Sequence, residues 1–200
     1  MQIVRQELSL QEEARTRVDL QIIDKLSKTA PNFGMRIIIG GGYAVDGFLG
    51  EITRYHNDID IQIYGTKENA EKVIDTLLDK IAGNTWEYTA VDKGRKDYYH
   101  NLVYNFDNST LDFYYLQTKT SPLGKEKLII KSDGSVDHQE FSKPVFGKIG
   151  DISFEIQNPQ LELEDKIYKR EKRGDSKRPE HEQDIENLKL VLKIKGKDGI

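Results

Sequence analysis

Two aspartates one residue apart, Asp58 and Asp60, are well placed in this sequence to hold a metal ion. The run from Asp58 to Ile61 is typical of a strand, in which alternate side chains point to the same face. The two carboxylates would then lie about 7 Å apart on one face, with the isoleucines directed into the core. The two carboxylates repel each other unless a divalent cation binds between them. Mg²⁺ is held by a few carboxylates together with substrate phosphates. Two such ions can stabilise both the attacking and the leaving oxygen of a phosphoryl displacement.

A run of three glycines precedes this pair. Gly40, Gly41 and Gly42 lie between a predicted buried strand, Met35 to Ile39, and a predicted short helix, Tyr43 to Leu49. Glycine lets the backbone approach a phosphate closely, and the N–H groups at a helix N-terminus face an anion. A glycine turn and an Asp-x-Asp pair are weak signals separately. In this order, with a helix between them, they are much stronger together and predict a site for a nucleoside triphosphate.

The pattern around these residues resembles a known family. It comprises Gly41-Gly42-Tyr43-Ala44-Val45-Asp46, Gly50, Thr53-Arg54, His56 and Asp58-Ile59-Asp60. It is similar to the antibiotic nucleotidyltransferases of the polymerase-β-like superfamily, namely the aminoglycoside 2''-adenylyltransferases and the small lincosamide nucleotidyltransferases. The likeness is close over residues 37–63 and weaker around Asp112 and in the segment from Lys166 to Leu188. Members of the family often carry tryptophan at the position of Tyr43.

The resemblance implies a third carboxylate from a later strand, and Asp112 is the best candidate. It lies in the apolar, strand-forming run from Thr110 to Tyr115, and a buried carboxylate is unfavourable unless it is paired or bound to metal. By resemblance, Asp112 would join Asp58 and Asp60 as a metal ligand and catalytic residue, act as general base toward the acceptor hydroxyl, or do both. If it is not the base, Glu162 and Asp165 are the next candidates.

The resemblance also implies which residues bind the nucleotide: Gly41, Gly42, Tyr43, Arg54, His56 and Lys166. Other interpretations remain open for several of them. Arg54 and His56 could make local hydrogen bonds instead, and Lys166 could pair with Asp184 between two C-terminal helices. Asp46, on the short helix, is expected to be structural.

The implied activity is Mg²⁺-dependent transfer of a nucleoside monophosphate, with AMP from ATP expected, to a hydroxyl of a small molecule. Two Mg²⁺ ions are expected, and an aminoglycoside or lincosamide antibiotic is the leading acceptor, which would make the protein an antibiotic-resistance enzyme. A regulatory, antitoxin-type nucleotidyltransferase that modifies a protein is an alternative. A second alternative is a non-catalytic nucleotide-binding module. The presence of Asp58, Asp60 and Asp112 argues against it.

Composition narrows the function classes further. The chain of 200 residues has no cysteine, which excludes disulfides, thiolate zinc sites and cysteine nucleophiles. Its net charge of −4 disfavours a long nucleic acid as partner, although residues 166–178 form a basic cluster that could meet phosphates. No apolar run has the roughly 18–20 residues needed to span a membrane, and no signal-peptide pattern is present at the N-terminus. A cytoplasmic location is therefore expected.

The periodicity predicts an α+β fold. A mixed β-sheet nucleotidyltransferase core flanked by helices is expected over residues 1–157, with a C-terminal helical pair over residues 158–200 packed on it. Helices are predicted at 10–28, 43–49, 66–82, 158–173 and 179–195. Strands are predicted at 35–39, 58–64, 86–91, 98–106, 110–117, 127–131 and 152–157.

Overall fold

The computed structural model of the protein describes residues 2–65, 70–83, 87–93, 100–106, 109–120, 126–132, 135–140, 144–172 and 179–197. These residues form five α-helices, a short 3-10 helix at Ala30–Phe33 and nine strands. The α-helices are α1 (Leu10–Thr29), α2 (Gly41–Leu49), α3 (Ala70–Ala82), α4 (Pro159–Lys172) and α5 (Pro179–Lys197). The strands are β1 (Arg36–Ile39), β2 (Asp58–Gly65), β3 (Tyr88–Lys93), β4 (His100–Phe106), β5 (Ser109–Thr120), β6 (Glu126–Ser132), β7 (Ser135–Glu140), β8 (Val145–Ile149) and β9 (Ile152–Ile156).

The strands form a mixed sheet in the order β3-β4-β5-β2-β1-β9-β8. The central pair, β2 and β5, is parallel, whereas β1 is antiparallel to β2 and β4 is antiparallel to β5. The far end of β5 pairs with β6 at Thr118–Thr120, and β6 pairs with β7 as a hairpin. The predicted α+β class is confirmed.

One face of the central strands is covered by helices. Ile59, Ile61 and Ile63 of β2 have no exposed surface, and neither do Leu111 and Phe113 of β5. These side chains share one hydrophobic cluster with residues of α1 and α3. Because side chains alternate along a strand, the residues between them point to the opposite face of the sheet. The fold therefore directs the aspartates of β2 and β5 away from the covered face.

The two C-terminal helices pack against α2. Val45 of α2 forms a second buried cluster with Leu163 of α4 and with Ile185 and Leu188 of α5. This packing brings α4 to the end of the sheet where the glycine run begins α2. The division of the chain at residue 157 into a core and a helical segment stays a prediction.

Several predicted elements differ in detail from the observed ones. Helix α2 begins at Gly41, two residues before the predicted start, and strands β7 and β8 were not predicted. The predicted start of the third helix at Thr66, and the predicted starts of strands at Trp86 and Tyr98, lie outside the described residues. None of the helices within the described ranges combines the length and the apolar character required to cross a membrane.

Candidate active site

The parallel pairing of β2 with β5 brings the three predicted metal ligands to one place. In this register Asp60 lies directly opposite Asp112, and Asp58 lies opposite Thr110. Adjacent strands are about 4.8 Å apart, and residues two apart on a strand share a face. The three aspartates therefore lie on the same face of the sheet, opposite the buried isoleucines. Their roles as metal ligands and catalytic residues stay predictions.

The glycine turn lies directly against Asp60. The N–H of Gly40 donates to the backbone oxygen of Asp60 at 2.9 Å. Gly41 has a φ of 60°, and a Cβ there would come within 1.9 Å of Asp60 Oδ2. A Cβ on Gly42 would come within 2.1 Å of His56 Nδ1. The protein's own side chains thus disfavour a Cβ at both positions. This reason for glycine is separate from the close approach of a phosphate that the sequence indicated.

The environment of Asp60 disfavours the negative charge of its carboxylate. Burial, followed by the negative charge of Asp58, raises the pKa of Asp60 to about 7 from its ordinary value of 3.8. Glu162 and Asp112 raise this pKa further, whereas Lys169 opposes the change. A cation bound between these carboxylates would remove the repulsion.

The donor set fits Mg²⁺ bound with a nucleotide better than Mg²⁺ bound by protein alone. Among the described residues, no three histidine, cysteine or acidic side chains are gathered closely enough to hold a metal ion by themselves. Mg²⁺ ordinarily uses one or two carboxylates, with substrate phosphates and water completing its octahedron. The paired aspartates Asp58 and Asp60, with Asp112 on the next strand, supply carboxylates of the required kind.

Tyr114 adds a hydrogen bond at the edge of this group. It lies two residues after Asp112 on β5, and its hydroxyl donates to Asp112 Oδ2 at 2.9 Å. Burial raises the pKa of Tyr114, and the charges of Asp60 and Asp112 raise it further. The tyrosine therefore stays protonated at neutral pH and orients the Asp112 carboxylate as a donor.

Comparison with known proteins places the chain in a family. A sequence profile of the aminoglycoside-2''-adenylyltransferases matches residues 20–119. The chain belongs to the aminoglycoside-2''-adenylyltransferase family. The matched half of this adenylyltransferase-family protein contains the glycine turn and all three aspartates, so the resemblance stated from the sequence is confirmed.

Individual relatives agree with this assignment. The 2''-aminoglycoside nucleotidyltransferases of Escherichia coli and Klebsiella pneumoniae are each 30% identical over 66 residues, which is 33% of this chain. The matched stretch spans about a third of those relatives, 36% of their length.

Solved structures share the fold. ANT(2'')-Ia in complex with adenylyl-2''-tobramycin aligns with a TM-score of 0.60 and 16% identity, over 88% of this chain and 90% of that one. The lincosamide antibiotic adenylyltransferase LnuA with bound lincomycin aligns with a TM-score of 0.59 and 17% identity, over 93% and 99% of the two chains.

In this family member, two of the predicted nucleotide-binding side chains belong to a buried cluster on α2. His56 is 2% exposed, and its Nε2 lies 2.6 Å from Asp46 Oδ2. Asp46 also accepts hydrogen bonds from the backbone N–H and the hydroxyl of Thr53, at 3.2 and 2.6 Å. Tyr43 is completely buried, and its ring centroid lies 4.4 Å from that of His56. The Tyr43 side chain therefore packs inside the protein, and its role in nucleotide binding stays a prediction. Asp46 makes the structural contacts expected of it.

Arg54 and Lys166 meet at a shared acid on α5. Arg54 donates to both oxygens of Asp184, at 3.0 and 2.7 Å. Lys166 Nζ lies 2.9 Å from Asp184 Oδ2 and 3.4 Å from Glu162 Oε1. Burial alone would lower the pKa of Lys166, but the charges of Glu162 and Asp184 outweigh it and raise this pKa. The predicted pairing of Lys166 with Asp184 is confirmed, and both cations stay charged beside the glycine turn.

Asp19 is a buried acid that the sequence analysis did not single out. It is 1% exposed on α1 and accepts hydrogen bonds from the hydroxyls of Tyr43, at 2.7 Å, and Ser109. It therefore ties the residue after Gly42 to the first residue of β5. The available signal was an aspartate in helical register with Ile22, Ile23 and Leu26, all of which are buried.

The basic cluster contains mostly paired side chains where it is described. Lys169 lies 2.6 Å from Asp165, and Arg170 lies 3.4 Å from Glu182. Residues 173–178 lie outside the described residues. These two cations of the cluster therefore pair with acids of α4 and α5.

Proposed function

We propose that this protein transfers a nucleoside monophosphate, AMP from ATP, to a hydroxyl group of a small molecule in a Mg²⁺-dependent reaction. An aminoglycoside or a lincosamide is the proposed acceptor, because the family match and the structural neighbours include proteins named for both. The observation that carries the proposal is the pairing of Asp60 with Asp112 on adjacent parallel strands, with Asp58 on the same face and Gly41 against Asp60.

In this reaction the acceptor oxygen forms a bond to the α-phosphorus of the nucleotide. The bond from that phosphorus to the oxygen bridging to the β-phosphate breaks, and pyrophosphate leaves. The metal ions would supply positive charge that offsets the charge developing on the phosphates. Asp58 and Asp60 would hold these ions, and Asp112 would hold an ion, accept the proton of the acceptor hydroxyl, or do both.

Other groups of the protein would bind and orient the triphosphate. The first N–H groups of a helix have no acceptor within the helix and favour an anion. Helix α2 presents those of Gly41 and Gly42 beside Asp60. Lys166 is charged and lies within reach of the same turn, since its partner Glu162 accepts a hydrogen bond from Gly41 N–H. We also propose that Arg54 and His56 hold the loop before β2 in place.

The proposal is tested by measuring pyrophosphate release. The protein is incubated with Mg²⁺, each of the four NTPs in turn, and a panel of aminoglycosides and lincosamides. We expect release that requires one class of acceptor and is fastest with ATP. The Asp58→Asn variant should lose this activity while keeping the wild-type circular dichroism spectrum, and Asp151→Asn, an exposed substitution in the turn between β8 and β9, should retain it.

A protein acceptor would give a different result. Transfer of radioactive α-phosphate from ATP to a protein of the host lysate, with no release stimulated by any antibiotic, would replace the small-molecule proposal with the regulatory alternative. Nucleotide binding without transfer to either kind of acceptor would favour a non-catalytic module.

A further inference from the structure

Glu162 of α4 occupies the position beside the glycine turn where an anion would bind. Its Oε2 accepts a hydrogen bond from the N–H of Gly41, the first residue of α2, at 3.3 Å. Its other oxygen, Oε1, lies 3.4 Å from Lys166 Nζ. A carboxylate that engages a helix N-terminus and a lysine at once makes the contacts that a phosphate group would make there.

The contact between Glu162 and Gly41 is unfavourable because it adds negative charge near Asp60. Glu162 is only 3% exposed, and its charge acts on Asp60, which also lies against Gly41. Gly41 is thus close to two carboxylates, since its N–H donates to Glu162 and a Cβ on it would clash with Asp60 Oδ2. A phosphate carrying Mg²⁺ would bring cations to Asp60, whereas Glu162 brings only further negative charge.

Lys166 does not depend on Glu162 to stay in place. It lies closer to Asp184, at 2.9 Å, than to Glu162. Asp184 is itself fixed by two hydrogen bonds from Arg54. If Glu162 leaves, the lysine keeps a carboxylate partner and remains available beside Gly41.

We infer that Glu162 substitutes for a nucleotide phosphate in the nucleotide-free protein, and that the triphosphate displaces it from Gly41 and Lys166 on binding. The inference rests on the proposed function, since it assumes that a triphosphate binds at this turn. Glu162 is then neither the general base nor an acceptor-binding residue. It is a competitor that lowers nucleotide affinity, and it neutralises the turn when no nucleotide is present.

Two variants and a matched control test this inference. Glu162→Gln removes the charge but keeps the size, and Glu162→Asp keeps the charge but shortens the side chain so that it withdraws from Gly41. Glu164→Gln on the same helix is the control, because Glu164 is exposed and accepts a hydrogen bond from Gln160. Binding of inorganic tripolyphosphate with Mg²⁺, and of α,β-methylene-ATP with Mg²⁺, is measured by calorimetry for each protein.

Glu162→Gln is expected to bind both ligands roughly tenfold more tightly than the wild type, since a charge-assisted hydrogen bond no longer competes. Glu162→Asp is expected to bind them more tightly than wild type by a smaller factor, and Glu164→Gln should not differ from wild type. Should one Glu162 variant fail to fold, the other carries the test alone. Unchanged or weaker binding by the folded Glu162 variants, with wild-type binding intact, would overturn the inference and leave the proposed function standing. Absence of binding by every protein, wild type included, would overturn both.

Discussion

Replacing Asp60 with asparagine is expected to stabilise the ligand-free protein at alkaline pH. Burial, and after it the charge of Asp58, raise the pKa of Asp60 to about 7 from 3.8. One pKa unit corresponds to about 1.4 kcal/mol. Ionised Asp60 therefore opposes folding by about 4 kcal/mol once the pH is well above 7. Asparagine has nearly the same shape and carries no charge, so the Asp60→Asn variant should not have this unfavourable contribution.

The sign of the pH dependence follows from the direction of the change. The pKa of Asp60 is higher in the folded protein than in the unfolded chain. Between about pH 4 and pH 7, therefore, Asp60 is protonated in the folded state but ionised in the unfolded state. The contribution of Asp60 to stability therefore falls as the pH rises through this window. The gain in stability on substitution should be small at pH 4, about 2 kcal/mol at pH 5 and about 4 kcal/mol at pH 8.

Thermal unfolding in EDTA without nucleotide measures this difference. For a chain of this size, each kcal/mol changes Tm by about 2–4 °C. The Asp60→Asn variant should thus melt about 8–16 °C above the wild type at pH 8, with a much smaller gap at pH 5. Asp151→Asn, at the exposed turn, is the matched control and should show no gap at either pH. A Tm for Asp60→Asn at or below that of the wild type at pH 8 would refute the electrostatic argument.

Three further predictions follow from the geometry of the site. Asp112→Ala should depress turnover much more than it weakens nucleotide binding, because Asp58 and Asp60 remain; near-normal turnover would show that the general base lies elsewhere. Gly42→Val should lower stability by about 1–3 kcal/mol in urea denaturation, since its Cβ would lie 2.1 Å from His56 Nδ1, and an unchanged midpoint would contradict that clash. Arg54→Ala should destabilise by about 1.5–3 kcal/mol in the same assay, because Asp184 loses the hydrogen bonds from Arg54 and keeps only Lys166; a loss under 1 kcal/mol would argue against this ion pair.

The central strands could be predicted because their sequence pattern and their environment agree. Alternation in β2 separates three isoleucines from Asp58 and Asp60, and the structure places the isoleucines in the core. Asp112 was recognisable because an acid interrupts an apolar strand. Its position directly opposite Asp60, however, depends on the parallel register of β2 and β5, which no local pattern specifies.

The inner face of α1 could be predicted only in part. Ile22, Ile23 and Leu26 are buried as the helical spacing indicates, but Thr16 and Asp19 are buried as well. An aspartate is ordinarily placed on the solvent face of a helix, because burial of its charge is unfavourable. Here hydroxyl donors from α2 and β5 satisfy Asp19, and they are 24 and 90 residues away in sequence.

For the side chains around the glycine turn, even less of the environment could be predicted from the sequence. Arg54 and Lys166 were expected to face a nucleotide, and both cations are held by Asp184, which is 130 residues from Arg54. A sequence pattern indicates that cations are needed near a phosphate site, but it does not indicate which acids hold them there. The sequence indicated Glu162 as an alternative general base, and its contact with Gly41 N–H is visible only in the folded chain.

The glycines of the turn are therefore weaker evidence for a functional site than Asp60 is. Packing against Asp60 and His56 disfavours a Cβ at Gly41 and Gly42, so these glycines have a structural reason that is independent of nucleotide binding. Asp60 is different, because burial and the charge of Asp58 disfavour its ionisation in the ligand-free fold, whereas asparagine would carry no charge there. A residue that destabilises its own fold is characteristic of a functional site, where activity is retained at the expense of stability. The unfavourable ionisation of Asp60 is thus a stronger argument for a cation-binding site than the glycine turn.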